Sequence, residues 1–185
     1  MMNTESNTTT NDWDALMRAG LAGDRAALTD LLVALEKPLF SYLFRLCRNP
    51  EIAEDLLQET LVTVVTKRDS WDPSRPLRPW VYTIARHKFL EHRRRSRQVV
   101  ALARPETIPA PTAGSQPSSD RHDLQQALAT LNEPIREAFL LKHFARLSFE
   151  EVAAIQEIPV PTAKSRVRFA VQKLRDLLGE DHAND

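Results

Sequence analysis

Apolar side chains in this chain recur every three or four residues, the period of an amphipathic helix, and the strict alternation of a half-buried strand is almost absent. The clearest stripe is Ala53, Leu56, Leu57, Thr60, Leu61 and Val64, which fall on one helical face. Asn49-Pro50 opens it with a capping side chain and a proline at the first helical position. Val81, Ile84, Ala85 and Phe89 mark a second buried face. Farther on, Ile135, Phe139 and Leu140 give the period of a scaffold helix that a turn at Ala145–Leu147 closes. Ser148-x-x-Glu151 is then a capping box, followed by a short helix burying Val152, Ala153 and Ile155. Glu157–Val160 forms a turn, and Pro161 opens a last helix whose Val167, Ala170, Val171, Leu174 and Leu178 face inward.

The pattern predicts an all-α protein of two small helical domains. Residues 1–11 read as a flexible tail rich in Thr and Asn, 12–97 as the first domain, 122–179 as the second, and 180–185 as a tail. Between the domains, residues 98–121 are rich in Pro, Ser and Thr with no apolar period, the composition of a linker. In extended form that linker would reach roughly 75 Å at about 3.1 Å per residue. Two turns of B-DNA measure about 68–72 Å, so the domains could occupy separate stretches of one duplex.

Composition narrows the classes. The 185 residues carry 25 Lys+Arg against 25 Asp+Glu, a formal net charge of zero, with 42% apolar and 27% charged residues. That is a folded protein, not a disordered one. One cysteine, Cys47, excludes an internal disulfide, and its apolar setting beside Leu46 reads as a core thiol rather than a redox sensor. Neither a P-loop nor a dinucleotide-binding glycine pattern occurs. No Ser/His/Asp, Cys/His or zinc spacing supports catalysis, so no catalytic residue, metal or cofactor is expected. The N-terminus lacks the basic and apolar regions of a signal peptide, and apolar runs fall far short of the roughly 20 residues that span a bilayer, so a cytoplasmic chain without membrane insertion is expected. A net charge of zero argues, at face value, against nucleic-acid binding.

The charges are not evenly spread. Asp55, Gln58, Glu59 and Val62 share a face of the helix that begins at Pro50, a spacing that fits a solvated surface as well as a docking patch for a basic partner. Around the second apolar face lie Arg78, Trp80, Tyr82, Arg86, His87 and Lys88, followed by Arg93, Arg94, Arg95 and Arg97. Between Arg86 and Arg97 there are six Lys/Arg and one acid, Glu91. Such cations attract phosphates, and neighbouring rings can stack on exposed bases, although a solvated basic helix end has the same composition. In the last helix, Lys164, Ser165, Arg168 and Gln172 lie opposite the apolar face, and Lys164–Arg175 holds five Lys/Arg and no acid. A polar N-terminal half preceded by a short packed helix suits major-groove binding; a plain trihelical bundle is the simpler alternative.

Three stretches together resemble the extracytoplasmic-function (ECF) sigma factors, the smallest class of the sigma-70 family. AEDLLQETLVTV is similar to the polymerase-binding helix of region 2, PLRPWVYTIARHKFLEHRRR to the promoter-melting and −10-reading part of region 2, and LNEPIREAFLLKHFARLSFEEVAAIQEIPVPTAKSRVRFAVQKLRDLL to region 4. The resemblance implies an alternative, stress-response type of sigma factor with no catalysis of its own. Its partners would be core RNA polymerase (the β′ clamp coiled coil and the β subunit), promoter DNA and an anti-sigma factor. Asp55, Gln58, Glu59 and Val62 would then face the clamp. Arg78, Trp80, Tyr82, Arg86, His87, Lys88, Arg93 and Arg94 would hold the melted −10 strand. Thr162, Lys164, Ser165, Arg168, Phe169 and Gln172 would approach the −35 element, and the linker would thread through the polymerase. Three residues depart from the family's common pattern: His87 where Asn is frequent, Pro161 where Gly is usual, and Phe169 where Arg is common. The competing reading is a stand-alone helix-turn-helix regulator, which would need neither the acidic helix nor the aromatic-basic one.

Overall fold

A computed structural model describes residues 8–102 and 119–180. Among these residues the chain is helical and has no strand. In order, the helices are α1 (Thr8–Leu21), α2 (Arg25–Cys47), α3 (Pro50–Thr66), α4 (Leu77–Leu102), α5 (Ser119–Thr130), α6 (Glu133–Phe139), α7 (Phe149–Gln156) and α8 (Val160–Glu180). A 3₁₀ turn, Arg68–Ser70, precedes α4, and a π-helical turn, Leu140–Phe144, extends α6. The chain divides into two compact units. One joins the residues up to Ser41 with those from Glu54 onward through α4; the other joins Tyr42–Ala53 with α5 to α8.

The helix ends follow local chemistry. Asp24 accepts from the N–H groups of Ala26 and Ala27 at 2.9 and 3.1 Å, satisfying orphan donors at the start of α2. Gly23, at φ +100°, makes the turn between α1 and α2 in a conformation that costs other residues strain. Asn49 caps α3 through a 3.1 Å bond to Ile52 N–H, as its place before Pro50 predicts. The capping box is also present: Ser148 Oγ accepts from Glu151 N–H at 3.1 Å, and the Glu151 carboxylate accepts from Ser148 N–H at 2.7 Å. After α7 the chain turns on Glu157, which holds φ 56°.

Helix α1 begins at Thr8, inside the stretch expected to be a tail. Once Trp13 and Met17 are anchored in the core, each added turn extends a helix already nucleated. In the same way α4 runs to Leu102, past the expected start of the linker at residue 98, because Gln98–Leu102 contains no breaker and the first proline comes at Pro105. Residues 103–118, most of the expected linker, lie outside the described residues.

In the first unit Trp13, Met17, Leu31, Leu35, Leu39, Leu56, Val64, Leu77, Val81 and Phe89 are buried. Thr60 is buried with them at no polar cost, since its hydroxyl donates to the Leu56 carbonyl at 2.6 Å. Asp14 of α1 accepts from Leu77 N–H at 2.8 Å and so caps α4 from a distant part of the chain. The second unit is centred on Leu43, Leu46, Leu128, Leu140, Leu141, Val152, Ile155, Val167, Ala170 and Leu174. Within it Arg136 serves as a clasp. Its guanidinium donates to the carbonyls of Leu128, Leu131 and Leu46 at 2.9, 2.8 and 3.2 Å. Those bonds, with Tyr42 Oη donating to Glu137 at 3.4 Å, explain why Tyr42–Ala53 groups with the second unit and not with residues 12–97.

Arg136→Ala strips three carbonyls of a charged donor. It should cost about 2 kcal/mol of stability, read as a lower urea midpoint at unchanged slope.

Candidate docking and DNA-binding surfaces

Burial of the stripe through Ala53, Leu56, Leu57, Thr60 and Val64 turns the opposite side of α3 outward. Asp55 and Gln58 are exposed there, and Val62 is 62% exposed between them and the end of the helix. An apolar side chain that open to water, set among acids, is the composition of a contact patch rather than of a core. Glu59 behaves differently. It sits on the flank of α3 beside α4, with its carboxylate 3.5 Å from Lys88 Nζ and 3.8 Å from an Arg95 guanidinium nitrogen. Lys88 also lies 3.9 Å from Glu91. The acid expected in the docking patch and a cation expected on DNA therefore hold one another.

Along α4 the buried side chains are Leu77, Val81, Tyr82, Ala85 and Phe89, while Ile84 is only half-buried. Tyr82 thus corrects the sequence reading: at 1% exposure it belongs to the core and cannot touch a DNA strand. Burial pushes its pKa up to about 12 against the lowering influence of Arg78. Arg78 is half-buried, its guanidinium 4.4 Å from the centroid of the Trp13 ring, so much of it is committed to packing α4 on α1. Trp80, Arg86 and Arg93 are half-buried, and His87, Arg94 and Arg97 are exposed. These residues form the accessible part of the aromatic-basic face.

In the second unit, α7 and α8 make the helix-turn-helix. Arg166 donates to Gln156 Oε1 at 3.0 Å, and Gln156 donates to Glu137 at 2.7 Å, a chain of polar contacts that locks α8 against α7 and α6. With Ala163, Val167, Ala170 and Leu174 buried, the opposite side of α8 presents Lys164, Ser165, Arg168, Phe169 and Gln172. Together with Pro161 they line a shallow open groove. Phe169 is 53% exposed, a large apolar ring held in water on the same face as Lys164 and Arg168. Thr162 is half-buried, with its carbonyl accepting from the Ser165 hydroxyl at 2.9 Å. Gln172 donates to Asp176 at 2.7 Å.

Three groups that matter were not among the expected site residues. Arg95 shares Glu59 with Lys88, Trp13 carries Arg78, and Lys142 reaches Phe149 beside α8. Cys47 is a partly buried thiol that donates to the Asn49 carbonyl at 3.2 Å, and burial raises its pKa. Among the described residues no group of His, Cys, Asp or Glu could hold a metal ion, and no helix is long and apolar enough to cross a membrane.

Residues 31–99 match the family model for sigma-70 region 2, and residues 121–174 match that for sigma-70 region 4. The chain is 35% identical over 161 residues to the RNA polymerase sigma factor CarQ of Myxococcus xanthus, covering 85% of this chain and 92% of that one. The chain belongs to the ECF class of the sigma-70 family. It is also 36% identical over 163 residues to the ECF sigma factor EcfG of Rhodopseudomonas palustris, covering 86% and 89%. Among solved structures, it is similar to the sigma factor RpoE of Bartonella quintana, which was determined with the anti-sigma factor NepR. The TM-score is 0.67 at 32% identity, over 82% of this chain and 96% of that one. A second match, to CnrH in complex with the cytosolic domain of CnrY, has a TM-score of 0.63 at 22% identity over 92% and 99%, and supports the fold. Helix α3 and the aromatic-basic face of α4 thus fall in region 2, and α7 and α8 in region 4.

The correction at Tyr82 has a titratable signature. Its neutral form is favoured in the fold, so stability should be undiminished below about pH 10 and fall as the pH rises from there toward about 12. Tyr82→Phe should remove that part of the alkaline loss and the matching late step in tyrosinate absorbance.

Proposed function

We propose that the chain acts as an alternative sigma subunit that brings core RNA polymerase to promoters, reads a −35 and a −10 element, and opens the duplex. What carries the reading is the sorting of charge in a neutral chain: an acidic patch on α3 in region 2, and separate basic faces on α4 and α8. Asp55 and Gln58, with Val62 as the apolar contact, bind a basic surface of the polymerase clamp; Glu59 lends its carboxylate from the flank. Trp80, Arg86 and His87 hold extruded bases of the −10 strand, with Arg93 and Arg94 on phosphates. Extrusion costs a few kcal/mol, which stacking and a fitted pocket offset. Arg168 and Lys164 reach base edges and phosphates of the −35 duplex, where Arg to guanine is the commonest specific contact. Phe169 makes the apolar contact that the ring's exposure favours, against a thymine methyl.

The domain roles follow: a region 2 domain and a region 4 domain, tethered by the Pro/Ser-rich residues. Chemistry belongs to the polymerase, and this chain contributes no catalytic group. The similarity to a sigma factor solved with its anti-sigma factor supports an anti-sigma partner here, and a role in transcription favours a cytoplasmic location.

Reconstituted run-off transcription tests the assignment. Core polymerase with this chain should initiate at discrete sites on a promoter library. Replacing Asp55 and Gln58 with Lys, which reverses the charge of the patch, should weaken core binding at least tenfold with the helical spectrum unchanged. Replacing Lys164 and Arg168 with Ala should abolish promoter-specific transcripts while core association persists. Undiminished core binding after the reversal would remove α3 from the docking role.

A further inference from the structure

Two ammonium groups converge on one aromatic ring beside the recognition helix. Lys142 Nζ, from the π turn, lies 4.5 Å from the centroid of the Phe149 ring, and Lys164 Nζ, from α8, lies 5.8 Å from it. The two cations are therefore no farther apart than the sum of those distances, a separation comparable to the Debye length of about 8 Å at physiological salt. Lys142 is held in place by a second contact, a 3.0 Å bond from Nζ to the Leu147 carbonyl across the turn. Phe149, half-buried, is the first residue of α7.

This arrangement is electrostatically incomplete. Like charges this close repel, and a ring face returns only about 0.5–1 kcal/mol per cation at exposed sites. Among the described residues neither ammonium has a carboxylate partner within ion-pair distance. The nearby acid Glu151 is occupied by Ser148 N–H, and Glu150 is exposed to solvent. Lys164 lies on the groove face of α8, so the ring carries Lys142 toward that same face. In a helix-turn-helix the first helix crosses the phosphate backbone while the second enters the groove, and Phe149 stands at the start of that first helix.

We propose that Lys142 binds a backbone phosphate of the duplex that α8 reads, and that Phe149 positions it together with Lys164. The inference rests on the assignment of α8 to duplex DNA. Lys142 adds affinity and register, and no base preference, because phosphate contacts carry no sequence information.

The test uses the full chain assembled with core polymerase and a fluorescent promoter duplex that this assembly selects from a random library. Binding is followed by anisotropy between 50 and 200 mM salt. Lys142→Gln keeps a donor for the Leu147 carbonyl and removes the charge. It should reduce the slope of log K against log salt by about 0.9, so that affinity falls about 3.5-fold less over this range than for the unaltered chain. The order of preference among duplex sequences should not change. Lys142→Arg should restore the slope, and Phe149→Leu should weaken binding with no change in sequence preference. Arg168→Ala is the internal reference. If it lowers affinity and sequence discrimination while Lys142→Gln leaves the slope unchanged, Lys142 has a structural role only and the inference is overturned. If neither variant alters binding, the assignment of α8 itself fails.

Discussion

The rotational setting of each helix about its own axis, fixed by the side chains it must bury, is the constraint on which the rest of this molecule depends. An amphipathic helix has one stable way to face its core, and a rotation of a third of a turn would expose residues such as Leu56 or Ala85. Once α3 buries Leu56, Leu57, Thr60 and Val64, Asp55, Gln58 and Val62 have nowhere to point but outward. In α8 the burial of Ala163, Val167, Ala170 and Leu174 leaves Lys164, Arg168 and Phe169 on the open side. The candidate surfaces are thereby ones that packing has already oriented.

This explains how a chain of zero net charge can serve a nucleic-acid process. The sum is taken over surfaces of opposite sign, and screening over about 8 Å makes each surface act locally. The Glu59 carboxylate, shared between Lys88 and Arg95, is where the two signs meet within one unit. Such half-exposed pairs are worth about 0–1 kcal/mol, small enough for a partner's charges to replace. Under the proposed function, neutrality would limit binding to random DNA by the free chain and leave the polymerase to supply the missing attraction.

Much of this was legible in the sequence because it is local. Caps at Asn49 and at Ser148 with Glu151 depend on residues three apart, and the structure contains all three bonds as expected. The polar side of α8 was legible for a similar reason, since its apolar period is unbroken. Tyr82 was misread because it adjoins Val81 in sequence, and the buried stripe of α4 is wide enough to take both neighbours. No periodicity could tell that Glu59 would lean toward α4, or that Arg136 would gather carbonyls from Leu46, Leu128 and Leu131. The contacts of Glu59 with Lys88 and of Arg136 with Leu46 join residues distant along the chain, and only packing brings them together. The π turn at Leu140–Phe144 also left no signal, since it differs from an α-helix by a single inserted residue.

The most direct measurement of the central claim is the affinity of one promoter duplex for this chain, alone and assembled with core polymerase, at equal salt. Charge sorting predicts weak binding with little sequence preference for the free chain, and tight, sequence-specific binding for the assembly. Equally tight, sequence-specific binding by the free chain would contradict the account and point instead to a self-sufficient helix-turn-helix regulator.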